Sequence, residues 1–160
     1  MSKRAYFVSI GCFVVGLLLG VGGTYFFGMA YWGKQTADGL VMIKQAELAE
    51  SGEKAFDAYQ HESQPIAIYA LSRYLASLKE MEDQIGSENP VLLTKMDVHF
   101  DMMLTHARLA KVYAAMGQPE LSRQQLADAL QCASQEHKLQ TITNQAVLAE
   151  ILARVDKGAK

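Results

Sequence analysis

The hydrophobic and polar positions divide the chain into two parts of different character. Residues 5–31 form a run of 27 residues that contains no charge. From Leu40 onward, apolar residues recur at the spacing of about 3.6 that is typical of helices, without sustained alternation of period two. The pattern therefore predicts one long apolar helix, a polar connection over residues 33–39 and an all-α domain over residues 40–156.

The apolar run is long enough to cross a membrane. As a helix, its 27 residues would span about 40 Å, which exceeds the hydrocarbon core of about 30 Å. Aromatic residues crowd its C-terminal end, as in an interfacial belt: Tyr25, Phe26, Phe27, Tyr31 and Trp32. We therefore expect a short tail over residues 1–4, a single transmembrane helix over residues 5–32, and contact with a lipid bilayer.

A cleaved signal peptide is the alternative, since Gly28, Met29 and Ala30 fit a small-x-small cleavage site. The apolar core of an ordinary signal peptide has about 7 to 15 residues, and this longer run favours an uncleaved anchor. Lys3 and Arg4 precede the run, and positive residues favour the cytoplasmic side. This orientation predicts a single-pass protein with its N-terminus in the cytoplasm. In a bacterium it would be a protein of the inner membrane, with its helical domain in the periplasm.

Small residues recur every four positions along the predicted transmembrane helix: Cys12, Gly16, Gly20, Thr24 and Gly28. One face of such a helix is a shallow groove, and a second helix backbone can approach it closely. The pattern predicts a helix partner in the membrane, which is either a second copy of this chain or another protein.

Five helices are predicted in the remainder of the chain. Their expected ranges are 40–59, 65–84, 90–116, 119–133 and 138–155. Pro65, Pro90 and Pro119 each fit the first turn of a helix, where the missing N–H costs nothing, and Asn89 fits an N-cap. Gly52 is expected to weaken the first helix by about 1 kcal/mol relative to alanine. Short turns predict antiparallel neighbours.

The apolar spacing also predicts which faces are buried. In the third helix the expected line is Leu92, Met96, Phe100, Met103, Ala107, Ala110 and Ala114. In the fifth helix it is Leu139, Ile142, Ala146, Ala149 and Leu152. Residues 157–160 are expected to fray.

Residues 106–139 resemble a tetratricopeptide repeat. Seven residues match the family's positions, four in the first helix of the unit and three in the second: Leu109, Ala110, Tyr113, Gly117, Leu126, Ala129 and Leu130. The proline that usually ends the unit is missing. The resemblance implies an antiparallel helical-hairpin domain, shaped by the first six of these residues, that binds another protein in a concave groove.

The charge of the chain argues against one class of binding partner, nucleic acid. The chain has 160 residues and a net charge of −2. Without Lys3 and Arg4, 13 basic residues remain against 17 acidic ones, so the part after the apolar run carries −4. Nucleic acid is not an expected partner, because phosphate binding requires clustered Lys and Arg. Cys12 and Cys132 lie in different parts of the chain and are not expected to pair.

Chemistry-bearing residues are few. His99 and His106 are seven residues apart on one predicted helix, about 10 Å along its axis, too far to share a metal ion. The acidic run of Glu80, Glu82, Asp83 and Glu88 is interpreted as a solvated surface. No phosphate-binding loop, nucleophile elbow, CxxC or HExxH occurs. We expect no metal, no cofactor and no enzymatic activity.

Three functions remain open at this point. The first is a membrane-anchored adaptor or scaffold that binds other proteins in the assembly or maintenance of a membrane complex. The second is a small single-pass structural or regulatory subunit of a membrane enzyme or transport machine. The third and weakest is a hydrolase or lyase whose active site has no known motif.

Overall fold

The structure, a computed structural model, describes residues 39–84 and 93–158. It divides the chain into two compact units, residues 1–42 and 43–160. The described helices are α1 over residues 39–61, α2 over Gln64–Gln84, α3 over Lys95–Ala115, α4 over Pro119–Gln135 and α5 over Gln145–Gly158. A single 3-10 turn, His137–Leu139, lies between α4 and α5.

The predicted fold class is confirmed as all-helical but is wrong in its transmembrane part. Within the two described ranges, no helix is long and apolar enough to cross a membrane. The physical reason is that these helices carry charges along their length, as Arg73, Lys79 and Glu80 do in α2. The predicted spanning segment 5–32 and its ladder of small residues (Cys12, Gly16, Gly20, Thr24 and Gly28) lie outside the described residues.

Helix α3 is the centre of the domain. Every residue from 102 to 110 is buried, because α2, α4 and α5 all pack against this helix. Its N-terminal His99 contacts Glu82 near the end of α2 and Glu136 just after α4, so both of these helices run antiparallel to α3. Over residues 102–110 this helix therefore has no face exposed to solvent.

The predicted single apolar line of α3 is therefore only partly correct. Met103, Ala107 and Ala110 are buried as expected, but Ala114 is exposed. The other faces are buried too, and they carry polar residues such as Arg108.

The start of α3 differs from the prediction, whereas its end agrees. The helix begins at Lys95, not at Pro90, because Thr94 and Asp97 form a capping box. The backbone N–H of Asp97 donates to Thr94 Oγ1 at 3.2 Å, and the N–H of Thr94 donates to Asp97 Oδ2 at 2.8 Å. At the other end, Gly117 has a φ of 70°, which glycine adopts without strain.

This end of α3 has the hydrogen bonds of a Schellman motif. The N–H of Gly117 donates to the carbonyl of Ala114 at 3.1 Å, and the N–H of Gln118 donates to that of Tyr113 at 2.9 Å. Pro119 then opens α4 without delay, so three residues join the two helices and α4 folds back antiparallel on α3.

The prediction for α5 is wrong in its start and only partly correct in its buried face. After the 3-10 turn the chain stays irregular as far as Asn144, whose Oδ1 accepts the N–H groups of Ala146 and Val147 at 3.1 Å each. This cap starts the helix seven residues later than predicted. The predicted Ile142 and Leu152 are buried, as is Leu148, whereas the predicted Ala146 and Ala149 are exposed. The helix continues through Lys157 to Gly158.

Gly52 has a packing role that periodicity could not reveal. Helix α1 runs through this position without a break. A Cβ atom at Gly52 would lie 2.9 Å from both Cζ and Oη of Tyr74 on α2. The glycine therefore provides the space in which α1 and α2 approach each other.

Candidate partner-binding site

A cavity of about 200 Å³ lies between α3, α4 and α5. Its walls are formed by Ala107, Ala110, Lys111 and Ala114 of α3, Ser122 and Leu126 of α4, and Gln145, Leu148, Ala149 and Leu152 of α5. Ala114 and Ala149 are exposed, so the cavity reaches the surface between them. The space exists because three of the four α3 residues that line it are alanines.

The lining of this cavity is suited to binding an apolar group. It contains no carboxylate, imidazole or thiol, which are the groups that most often transfer protons or attack substrates. Pockets for small-molecule ligands usually have about 300–1,000 Å³, and this one is smaller. A dry cavity of about 150 Å³ can hold benzene, so the space fits one leucine or aromatic side chain.

The far end of α5 is fixed by an ion pair with the centre of the domain. Nη2 and Nε of Arg108 donate to Asp156 Oδ1 at 2.9 and 3.2 Å. The guanidinium lies over the ring of Phe56, 4.4 Å from its centroid, a favourable cation–π geometry. Lys111 Nζ lies 3.8 Å from the other carboxylate oxygen of Asp156. Burial and the nearby Asp156 raise the pKa of Tyr59.

Two buried histidines of α3 have separate partners. His99 joins the ends of two helices, with Nε2 2.7 Å from Glu82 and Nδ1 2.8 Å from Glu136. His106 Nδ1 lies 2.8 Å from Gln125 Oε1, and burial lowers the pKa of this imidazole. Glu82 is thus partly buried and bonded, contrary to its interpretation as a solvated residue. Among residues 39–84 and 93–158, no three His, Cys, Asp or Glu side chains are grouped to hold a metal ion.

A further polar pair lies between α2 and α3. The hydroxyl of Tyr74 donates to Asp101 Oδ2 at 2.9 Å. Burial raises the pKa of the Asp101 carboxyl group and also that of the Tyr74 hydroxyl. Tyr74 is buried and Asp101 is half-buried, so we assign the pair a role in packing α2 against α3.

The structure places the six predicted repeat-shaping residues in three settings. Leu109, Ala110 and Ala129 are fully buried, Tyr113 and Leu126 are half-buried against the core, and Gly117 forms the exposed turn. Ala110 and Leu126 meet in the cavity wall.

Sequence reasoning found only part of the contribution of α5 to this site. Ala149 and Leu152 were predicted on the buried face of this helix and both line the cavity, whereas Gln145 and Leu148 were missed. The signal that could have identified them is the Asn144 cap, which fixes where α5 begins.

The resemblance of residues 106–139 to a tetratricopeptide repeat stays a prediction. No protein-family model matches the chain, and neither a curated protein nor a solved structure matches it.

Proposed function

We propose that the helical domain is a protein-binding module, and that it holds one apolar side chain of a partner helix in the cavity between α3, α4 and α5. The observation that carries this proposal is the apolar lining of a space that reaches the surface at Ala114 and Ala149. Helical partners commonly insert leucine or aromatic anchors into such grooves. The resemblance to a repeat family with concave binding surfaces supports the same function.

The lining favours binding over catalysis. An anchor side chain gains free energy from apolar burial, about 1.5–3 kcal/mol for a leucine or phenylalanine. Lys111 at the edge of the cavity can meet a carboxylate of the partner, in addition to Asp156 at 3.8 Å. A role as adaptor or scaffold follows if the chain binds a second protein elsewhere. Two expectations depend on residues 1–38 and stay predictions. They are the role in a membrane complex, as adaptor or as subunit, and the location at a membrane.

The test is photo-cross-linking of the full chain in its own cells. A photoreactive residue at position 149 lies at the mouth of the cavity, whereas position 127 is exposed on α4 and does not line it. We expect a discrete cross-linked protein from position 149 and none from position 127. Ala114→Leu, which fills the mouth, should remove the cross-link and leave the thermal midpoint within a few degrees of that of the parent.

Ala127→Leu is the matched control, because it adds the same side chain on an exposed position outside the cavity. It should leave the cross-link from position 149 intact. Equal cross-linking from both positions, no product from position 149, or a product that survives Ala114→Leu would refute the proposal.

A further inference from the structure

A second cavity, of about 620 Å³, lies where α1, α3 and α5 end. We call it the second cavity, and the one between α3, α4 and α5 the first cavity. Lys111 lines both of them, so the two spaces adjoin at this side chain. The wall from α1 includes Tyr59 and His61, and His61 lies 3.8 Å from Asp57. The second cavity is therefore a neighbour of the proposed anchor site.

One open groove between α3 and α5 connects the two cavities. On α5, Ala149 lies at the mouth of the first cavity, and Ala153 lines the second cavity one helical turn further along. On α3, Ala114 lines the first cavity and Ala115 lines the second. All four alanines are exposed, and their small side chains leave the surface open to a partner. We call this surface the α3–α5 groove.

The charge of the α3–α5 groove is opposite in sign to that of the whole domain. Two exposed lysines, Lys111 and Lys157, line the second cavity together with one carboxylate, Asp156. That carboxylate already accepts two hydrogen bonds from the buried Arg108. Lys157 forms no ion pair or hydrogen bond within the part of the chain that the structure describes. The part of the chain after the apolar run carries −4, so this end of the groove is a local excess of positive charge.

We propose that the α3–α5 groove binds an acidic amphipathic helix of a partner protein. The helix places its anchor side chain in the first cavity and a carboxylate at Lys157. This inference rests on the proposed function, because the anchor site is the same. Ala149 and Lys157 are eight residues apart on α5, about 12 Å along its axis. A partner helix that lies along α5 covers this distance in about two turns, so residues seven or eight positions apart on one face reach both sites.

Charge complementarity distinguishes this occupant from others. A basic helix would meet Lys111 and Lys157 as like charges, and the one carboxylate that lines the second cavity is engaged by Arg108. A neutral helix would fit the first cavity equally well but would leave Lys157 with solvent alone. An acidic helix uses both the apolar anchor site and the lysines, and charged residues at the rim of an interface favour the partner of opposite sign.

The first experiment places a photoreactive residue at position 153 of the full chain in its own cells, and mass spectrometry identifies the cross-linked segment. We expect the same partner and the same segment as from position 149. That segment should carry Asp or Glu about seven or eight residues from an apolar anchor. A product with lipid or with a different protein, no product, or a segment without acidic residues would overturn the proposal.

The identified segment, synthesised as a fluorescent peptide, is then the probe for the full chain in a mild non-ionic detergent. Fluorescence anisotropy gives its dissociation constant. Lys157→Glu should weaken binding roughly fivefold or more, because an attractive contact becomes repulsive. Lys157→Arg keeps the charge, and also its favourable interaction with the C-terminal dipole of α5, and should bind as the parent does. Replacing the acidic residue of the peptide by Lys should restore binding to Lys157→Glu.

Lys138→Glu is the matched control, because Lys138 is exposed and lines neither cavity. It changes the net charge as Lys157→Glu does and should leave the dissociation constant unchanged. Ala114→Leu blocks the first cavity and should abolish binding of the peptide. If Ala114→Leu abolishes binding while Lys157→Glu leaves it unchanged, the acidic partner is refuted and the proposed function stands. If Ala114→Leu leaves binding unchanged, the proposed function fails at its anchor site, and this inference fails with it.

Discussion

Gly52→Ala tests whether the close approach of α1 and α2 stabilises the domain. In an ordinary helix interior, alanine in place of glycine stabilises by about 1 kcal/mol. Here the new Cβ would lie 2.9 Å from two atoms of the Tyr74 ring and 3.1 Å from a third. The ring is only 8 % exposed, and its hydroxyl is bonded to Asp101 at 2.9 Å. It cannot turn away without losing that hydrogen bond.

The net effect can be worked out from two alternatives. If the ring stays, the added methyl group overpacks the site, which costs about 1–3 kcal/mol. If the ring moves, the hydrogen bond to a carboxylate is lost, which costs about 1.5–3 kcal/mol. Either cost is near 2 kcal/mol, and the gain in helix propensity offsets about 1 kcal/mol of it. We therefore expect Gly52→Ala to lower the free energy of unfolding by about 1 kcal/mol.

Urea denaturation followed by far-UV circular dichroism measures this change. With Tyr74→Leu in the background the ring is gone, and Gly52→Ala should then stabilise the protein by about 1 kcal/mol. Gly39→Ala is the control in the same helix, since a Cβ there meets no atom within 4 Å, and it should not destabilise. A higher unfolding midpoint for Gly52→Ala in the parent chain would show that the ring does not limit this position.

Three further substitutions test other contacts. Thr94→Ala removes the cap of α3 and should lower the free energy of unfolding by about 1 kcal/mol in urea denaturation; an unchanged value would contradict the assigned cap. Asp156→Ala leaves the guanidinium of Arg108 buried without its carboxylate and should lower the free energy of unfolding by about 3 kcal/mol. The double variant Arg108→Met with Asp156→Leu should lower it by less. An equal or greater loss in the double variant would refute this. Burial raises the pKa of the Asp101 carboxyl group, so the folded state binds this proton more tightly than the unfolded chain does. The stabilisation that results is present at acid pH and is lost as the pH rises above about 4. Asp101→Asn should therefore flatten that fall in stability, and a pH profile identical to that of the parent would exclude the effect.

The helix ends that local chemistry fixes could be predicted from the sequence. Gly117 followed by Pro119 defines the turn between α3 and α4, and α2 begins one residue before Pro65, within one residue of the prediction. The start of α3 was predicted wrongly at Pro90, although Thr94 and Asp97 have the Thr-x-x-Asp spacing of a capping box. Pro90 is a strong local signal, but Thr94 and Asp97 satisfy the orphan N–H groups of the helix through a reciprocal pair of hydrogen bonds.

Contacts between residues that are distant in the sequence limit how much of the candidate site could be predicted. Ala110 and Leu126 were predicted to shape the hairpin, and both line the cavity. The cavity itself depends on where α5 lies, and the Arg108–Asp156 pair that fixes α5 joins residues 48 positions apart. Apolar spacing within a single helix reveals the periodicity of that helix but not how many other helices pack against it.

The burial of α3 on all sides restricts how the length of this chain can change. Each added residue turns the following part of a helix by about 100°. One residue inserted between 102 and 110 would therefore rotate Arg108 away from Asp156 and present the wrong face to every neighbour at once. Residues 140, 141 and 143 lie in the non-helical stretch before α5 and are exposed, so an added residue there disturbs fewer contacts. Insertions and deletions tolerated in descendants of this sequence should fall between α4 and α5, while α3 keeps its length.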